Sequence, residues 1–246
     1  KKYLDEILAK MGKDNPTADD FGDYKTVNDV ESQVVKFIKP ELKKRDFKKF
    51  YHELKDGIKY YDTQVKYHLN VDFDPRKDSV GDDYTNSNER YYGNNNVKGP
   101  DAEHGTHVAG IVGAIRSNDL GIKGVADNVK IMAIRTVPDG DERDKDVANS
   151  IRYAVDNGAK ILNMSFGKAY AWDKKVVDEA VKYASSKGVL LVHAAGNDGK
   201  NTEKEDNFPT RLYTDSTGVV MGTAPGWIEV GASGWKNDEE LVASFS

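Results

Sequence analysis

The first seventy residues set charged positions against apolar ones at helical spacing. Val30, Val34, Val35, Ile38 and Leu42 recur at i, i+4, i+5, i+8 and i+12, one face of a helix. Phe47, Phe50, Tyr51, Leu54, Ile58 and Tyr61 continue the pattern beyond Pro40 and Asp46. Residues 1–70 are therefore expected to form two or three amphipathic helices, a helical insertion or spacer. The pattern stops over 71–103, where Asp72, Asp74, Pro75, Gly81-Asp82-Asp83 and Gly93-Asn94-Asn95-Asn96 mark a polar loop region. From His104 the periods alternate. The pattern predicts a helix over 104–116, an apolar strand Val129–Arg135 and a helix at 144–157 bounded by Asn157-Gly158. It then predicts a strand Lys160–Ser165, a helix at 173–187 ended by Gly188, and strands Val189–Ala194 and Trp227–Gly231. Strands alternating with helices imply an α/β fold with a mostly parallel sheet covered on both faces. Sites in such sheets form at the carboxyl ends of strands, where the Ser165-Phe166-Gly167 and Gly196-Asn197-Asp198-Gly199 turns fall.

Composition narrows the function classes. A chain of 246 residues has room for one large α/β domain, or for a core with an appendage. A formal charge of -5 predicts no nucleic-acid partner. No apolar run approaches the ~18 residues of a membrane-spanning segment. The absence of Cys excludes disulfides and thiol catalysis and agrees with export. The start, Lys1-Lys2-Tyr3-Leu4-Asp5, is charged rather than signal-like and has no initiator Met, which points to a chain processed or cut from something longer.

The densest chemistry lies in His104-Gly105-Thr106-His107-Val108-Ala109-Gly110. A histidine at the start of a helix made of small residues has a fixed ring and tunable basicity, as a general base needs. His104 can also be a plain helix-start histidine, and His104 with His107 has the i, i+3 spacing of a zinc pair, with Asp101 and Glu103 near. His107 reads more simply as a structural residue, and no metal site is assigned. Asn163-Met164-Ser165-Phe166-Gly167 and Ala194-Ala195-Gly196-Asn197-Asp198-Gly199 follow in order. Gly-Asn-Asp-Gly alone is ordinary turn chemistry, and His193 reads as a core residue. Phe208-Pro209 suggests a tight turn with a cis peptide. The oxygen-rich 71–103 region raises calcium as a ligand, without the ordered spacing of a calcium loop.

Taken together the three segments resemble the subtilisin-like serine proteases, the subtilases, over 104–246. The resemblance implies a subtilisin-like three-layer α/β fold preceded by the helical insertion, with 104–246 as a partial catalytic core. It implies a serine endopeptidase with His104 as general base and Asn197 as oxyanion-hole donor. Ser165, Phe166 and Gly167 would line the substrate cleft, and Ala194, Ala195 and Gly196 would wall the primary pocket. Gly140, Asp141 and Glu142 would form the other cleft edge, unless they are simply a solvated acidic loop. A polypeptide substrate and export from a bacterium follow, and calcium is left open because Asn118, Leu120 and Ile122 match the place of a calcium loop in some members. The sequence departs from the family in two ways. It holds no Asp-Ser-Gly or Asp-Thr-Gly before His104, where only Asp72 offers a weak substitute. It holds no Gly-Thr-Ser after Asn197. The resemblance then implies an acid upstream of Lys1 and a serine downstream of Ser246, with little activity in the chain alone. Tyr92-Gly93-Asn94-Asn95-Asn96-Val97-Lys98-Gly99-Pro100-Asp101-Ala102-Glu103 is similar to members with long insertions from Bacteroidetes-type bacteria. The other reading is a non-catalytic module of this fold that binds peptides or proteins.

Overall fold

The computed structural model describes residues 1–138, 140–237 and 241–246, and for Asp78 the backbone alone. The chain divides into two compact units, Lys1–Asp78 and Ser79–Ser246.

The first unit is helical. Helix α1, Lys2–Met11, closes on Gly12 at φ 62, whose N–H reaches the Leu8 carbonyl at 2.9 Å. Helix α2, Ala18–Asp23, starts at a reciprocal Thr17–Asp20 capping box. Helix α3, Asp29–Glu41, is capped by Asn28, and α4, Phe47–Thr63, by Asp46. Pro40 lies inside the last turn of α3. Leu4, Ile7, Phe21, Ile38, Phe47 and Phe50 form the core, with Val34, Val35, Leu42, Tyr51 and Leu54 packed at its margin. The apolar face read along α4 ends at Leu54, because Ile58 and Tyr61 are exposed. Buried Glu31 is neutralised locally. Lys10 and the Val27 N–H hold its carboxyl below the usual carboxylate range. Short π-helical turns follow at Gln64–His68 and Arg76–Val80.

The second unit is α/β. Strands β1 (Ile161–Met164), β2 (Leu190–Ala194) and β5 (Trp227–Val230) form a parallel sheet in the order β1-β2-β5. Strands β3 (Leu212–Thr214) and β4 (Val220–Thr223) form a separate antiparallel hairpin that the sequence pattern did not predict. Helix α5 is Glu103–Gly113, α6 is Asp144–Asp156 and α7 is Lys174–Ser186. The α/β class and the mostly parallel sheet follow the expectation from sequence. Val147, Ile151, Leu162, Met164, Val177, Val181 and Leu191 build one core between α6, α7 and one sheet face. On the opposite face, Asn163, Val192 and Ile228 share a row in register, and Asn163 and Ile228 are exposed.

One predicted strand is corrected. Val129–Arg135 is not a strand: among the described residues it joins no ladder, and an unpaired segment has no partners for its backbone groups. It runs instead along the end of α5, where Val129 and Ile131 lie against Gly113. The polar 82–92 stretch docks on α6 through a buried lysine. Lys145 Nζ donates to Asp82, Glu89 and the Asp83 carbonyl at 2.6–2.8 Å. Burial pulls the Lys145 pKa down, but the two carboxylates outweigh it and the net shift is upward.

Candidate active site

The carboxyl edge of the parallel sheet gathers several turns. Register pairs Met164 with His193 and Ala194 with Val230, so the chain leaves β1, β2 and β5 side by side. From β1 comes Ser165-Phe166-Gly167, with the Asn163 Nδ2 donating to the Ser165 Oγ at 2.9 Å. From β2 comes Ala195-Gly196-Asn197. The Ala195 N–H donates to the Val230 carbonyl at 2.9 Å, and Gly196 turns the chain at φ 101, a conformation that favours glycine. Asn197 is exposed, and its carboxamide makes no hydrogen bond among the described residues. Ala243-Ser244-Phe245-Ser246 lies along the same edge. The Phe245 carbonyl accepts from the Gly199 N–H at 2.8 Å, and the Ser246 Oγ accepts from the Ala232 N–H at 2.7 Å.

A third strip crosses this edge. Lys168 and Phe208 exchange backbone hydrogen bonds of 3.2 and 2.8 Å beside the cis Phe208-Pro209 bond. This strip carries Asn207, whose Nδ2 donates to the Ala194 carbonyl at 2.9 Å. Beneath the turns His193 is buried against Phe166 and Trp227, with ring centroids at 6.4 and 5.2 Å. Burial lowers its pKa to about 4, so the ring is neutral near pH 7.

The acidic 140–142 segment is split. Gly140 and Asp141 are exposed, whereas Glu142 is 2% exposed. The solvated-loop reading is therefore corrected for Glu142, which the start of α6 draws inward. Its carbonyl accepts from the Lys168 Nζ at 2.8 Å, and the same ammonium lies 2.7 Å from Asp144. Asp144 in turn accepts from the Trp172 and Asp173 N–H groups at 2.6 Å each. Glu142, Asp144 and Lys168, with Lys174, Asp178 and Pro209, line a cavity of about 10 Å³, room for roughly one water. Burial pushes the Glu142 carboxyl above the usual range.

His104 sits in the first turn of α5 and is exposed, as is His107. Neither ring makes a hydrogen bond, ion pair or ring contact among the described residues. Helix α5 is instead wrapped by the segment after it. The N–H groups of Gly124, Val125 and Ala126 donate to Ala114, Ile111 and Val112 at 2.9–3.0 Å. The structure thus brings together Ser165–Gly167, Ala194–Asn197 and Asn207, and joins His104 to none of them by direct contact. Among the described residues no group of three or more His, Cys, Asp or Glu could hold a metal. Asn118 accepts from the Leu120 N–H at 3.1 Å. Sequence reasoning missed Lys168 and Asn207. No local pattern marks either one, since both matter through tertiary contacts, Lys168 with Glu142 26 positions away and Asn207 with Ala194 13 positions away.

An α/β protein whose turns converge at the carboxyl ends of parallel strands is the class this geometry defines. Its sequence identifies it further: the profile of the subtilase family (peptidase S8) matches residues 41–246, and the chain belongs to that family. A thermophilic serine proteinase of Bacillus sp. (strain AK1) is 43% identical over 103 residues, 42% of this chain and 25% of the relative. Thermitase of Thermoactinomyces vulgaris is 40% identical over 118 residues, 48% of this chain and 40% of the relative. The chain thus spans less than half the length of either relative. The solved structure of an S41 psychrophilic protease is 31% identical, covers 58% of this chain and 44% of its own, and superposes with a TM-score of 0.47.

Proposed function

We propose that these residues carry the general-base and oxyanion portions of an exported serine endopeptidase acting on polypeptides. His104 takes the proton of a nucleophilic serine and returns it to the leaving amine. Asn197 donates to the oxygen that becomes negative. This scheme is the general one for subtilases, and it comes to this chain from family membership. Ser165, Phe166 and Gly167 and the Ala194-Ala195-Gly196 wall hold the extended substrate, with Gly140, Asp141 and Glu142 at the far edge. The acid and the serine are supplied by parts of the protein other than residues 1–246. The observation that carries the reading is the meeting of the Ser165–Gly167 and Ala194–Asn197 turns at one sheet edge, with the Asn197 carboxamide free to donate. Among the described residues no helix is long and apolar enough to cross a membrane.

The test is peptide hydrolysis by the protein with its flanking sequence. His104→Ala is expected to lower kcat by about 10⁶, and Asn197→Ala by about 10²–10³ with KM little changed. An active protein indifferent to His104→Ala overturns the assignment. A second reading, a peptide-binding module without catalysis, is favoured by the absence of direct contact between His104 and the edge turns. Tight binding of an extended peptide without cleavage, with the flanks present, would establish it.

A further inference from the structure

We infer that Asn207 is a positioning residue for the edge site, a clamp that fixes the spacing of the turns leaving β1 and β2; this rests on the peptidase reading above. The clamp has two jaws. One is polar: the Asn207 Nδ2 donates to the Ala194 carbonyl at 2.9 Å, at the last residue of β2. The other is steric. A Cβ placed on Gly167 would lie 2.2 Å from the Asn207 Oδ1 and 2.8 Å from both its Cγ and Nδ2. The carboxamide therefore packs on the bare Cα of Gly167, and a side chain there would push it out of place. The far side of the same group faces Gly196, where a Cβ would sit 3.6 Å from Nδ2.

The clamp is itself anchored. Its neighbour Phe208 exchanges two backbone hydrogen bonds with Lys168, and Pro209 beyond is buried. Lys168 is tied in turn to Asp144 and the Glu142 carbonyl. Asn197 follows Ala194 by three residues, through Gly196 at φ 101. Its carboxamide makes no hydrogen bond among the described residues, so its place relative to Ser165–Gly167 depends on where Ala194 and Gly196 are held. The position demands a donor to reach the carbonyl and a flat, uncharged end to lie on Gly167. Aspartate matches the shape, loses the donor and sets a carboxylate against the carbonyl oxygen.

Two measurements test this. In the hydrolytically active protein, Asn207→Asp is expected to lower kcat about 10–100-fold with KM changed less than about threefold, the signature of a misplaced transition-state donor. An unchanged kcat, or a raised KM alone, overturns the positioning role. The second is a double-mutant cycle on thermal unfolding of residues 1–246. Gly167→Ala alone is expected to lower the midpoint or abolish folding. Adding Asn207→Ala is expected to return the midpoint close to that of Asn207→Ala alone. Additive losses overturn the steric jaw. The cycle needs no activity. If the unsubstituted protein with its flanks cleaves no peptide, the peptidase reading fails while the cycle still decides the clamp.

Discussion

Helices α5 and α7 are of similar length, 11 and 13 residues, and both belong to the Ser79–Ser246 unit. Helix α7 buries Val176, Val177, Ala180, Val181 and Ala184 against α6 and β2, whereas α5 buries no residue. Their sequences explain the contrast. The bulky apolar stripe of α7 fills the space above the sheet. Helix α5 is built around Gly105, Ala109, Gly110 and Gly113, small residues that gain nothing until something packs closely on them. In this unit its close neighbours are its own following residues 122–131. The oxyanion candidate thus stands on a core that holds its shape, and the base candidate stands on an element held mostly by backbone contacts.

That contrast is broken most directly by truncation. Leu191→Ala removes a fully buried side chain from β2 and is expected to cost about 2–5 kcal/mol in denaturant unfolding. Ile115→Ala, at a position 65% exposed just beyond α5, is expected to stay within about 0.5 kcal/mol. Hydrogen exchange gives the same comparison without mutation: β2 and α7 amides should exchange at the global unfolding cost, and α5 amides well below it. Equal costs at Leu191 and Ile115 would show that α5 is as firmly packed as the core.

A somewhat smaller effect separates the edge turns from their foundation. His193 has a folded pKa of about 4 against an ordinary value of 6.5. Below 6.5 the unfolded chain binds a proton that the folded chain refuses, so stability falls as pH drops through that interval. The loss approaches about 3 kcal/mol by pH 4. His193→Leu should flatten stability between pH 6.5 and 4. A variant with the same slope as the parent would mean that other groups set the acid limit.

These contrasts also mark how far the sequence alone could be read. The α6-β1-α7-β2 run is legible because each element completes one clear period and its burial is local: Leu162 and Met164 alternate inward, and Val177 and Val181 share a helical face. The string around His104 and the Ala-Ala-Gly-Asn turn are legible as chemistry for the same reason, since their spacing is short. Val129–Arg135 misleads because an apolar β-rich run specifies a strand only if a partner strand pairs with it. The β3–β4 hairpin is hidden because its apolar runs, Leu212-Tyr213 and Val219-Val220-Met221, are only two and three residues long. Asn207 is silent in sequence because its meaning lies in Gly167 and Ala194, on two other strips of chain.

The smallest expected effect lies within the three residues proposed as the far cleft edge, where a solvated and a buried carboxylate stand side by side. Asp141 is exposed, so Asp141→Asn should change stability by less than about 0.5 kcal/mol. Glu142 is buried with its Oε1 unpartnered, and its folded pKa is raised by burial, partly offset by its own backbone N–H and by Lys168. The sign runs opposite to that of His193. A raised carboxyl pKa favours the folded state at low pH, and that advantage is lost as pH climbs through the folded value. Glu142→Gln removes the ionisation and keeps the shape, so it should be more stable than the parent at pH 8, by on the order of 1 kcal/mol. The difference should close toward pH 4, where the glutamate is protonated in both states. A glutamine variant that is less stable at pH 8 would show that the ionised carboxylate is held there by Lys168, and would move Glu142 from a strained edge residue to a member of the Asp144–Lys168 ion pair.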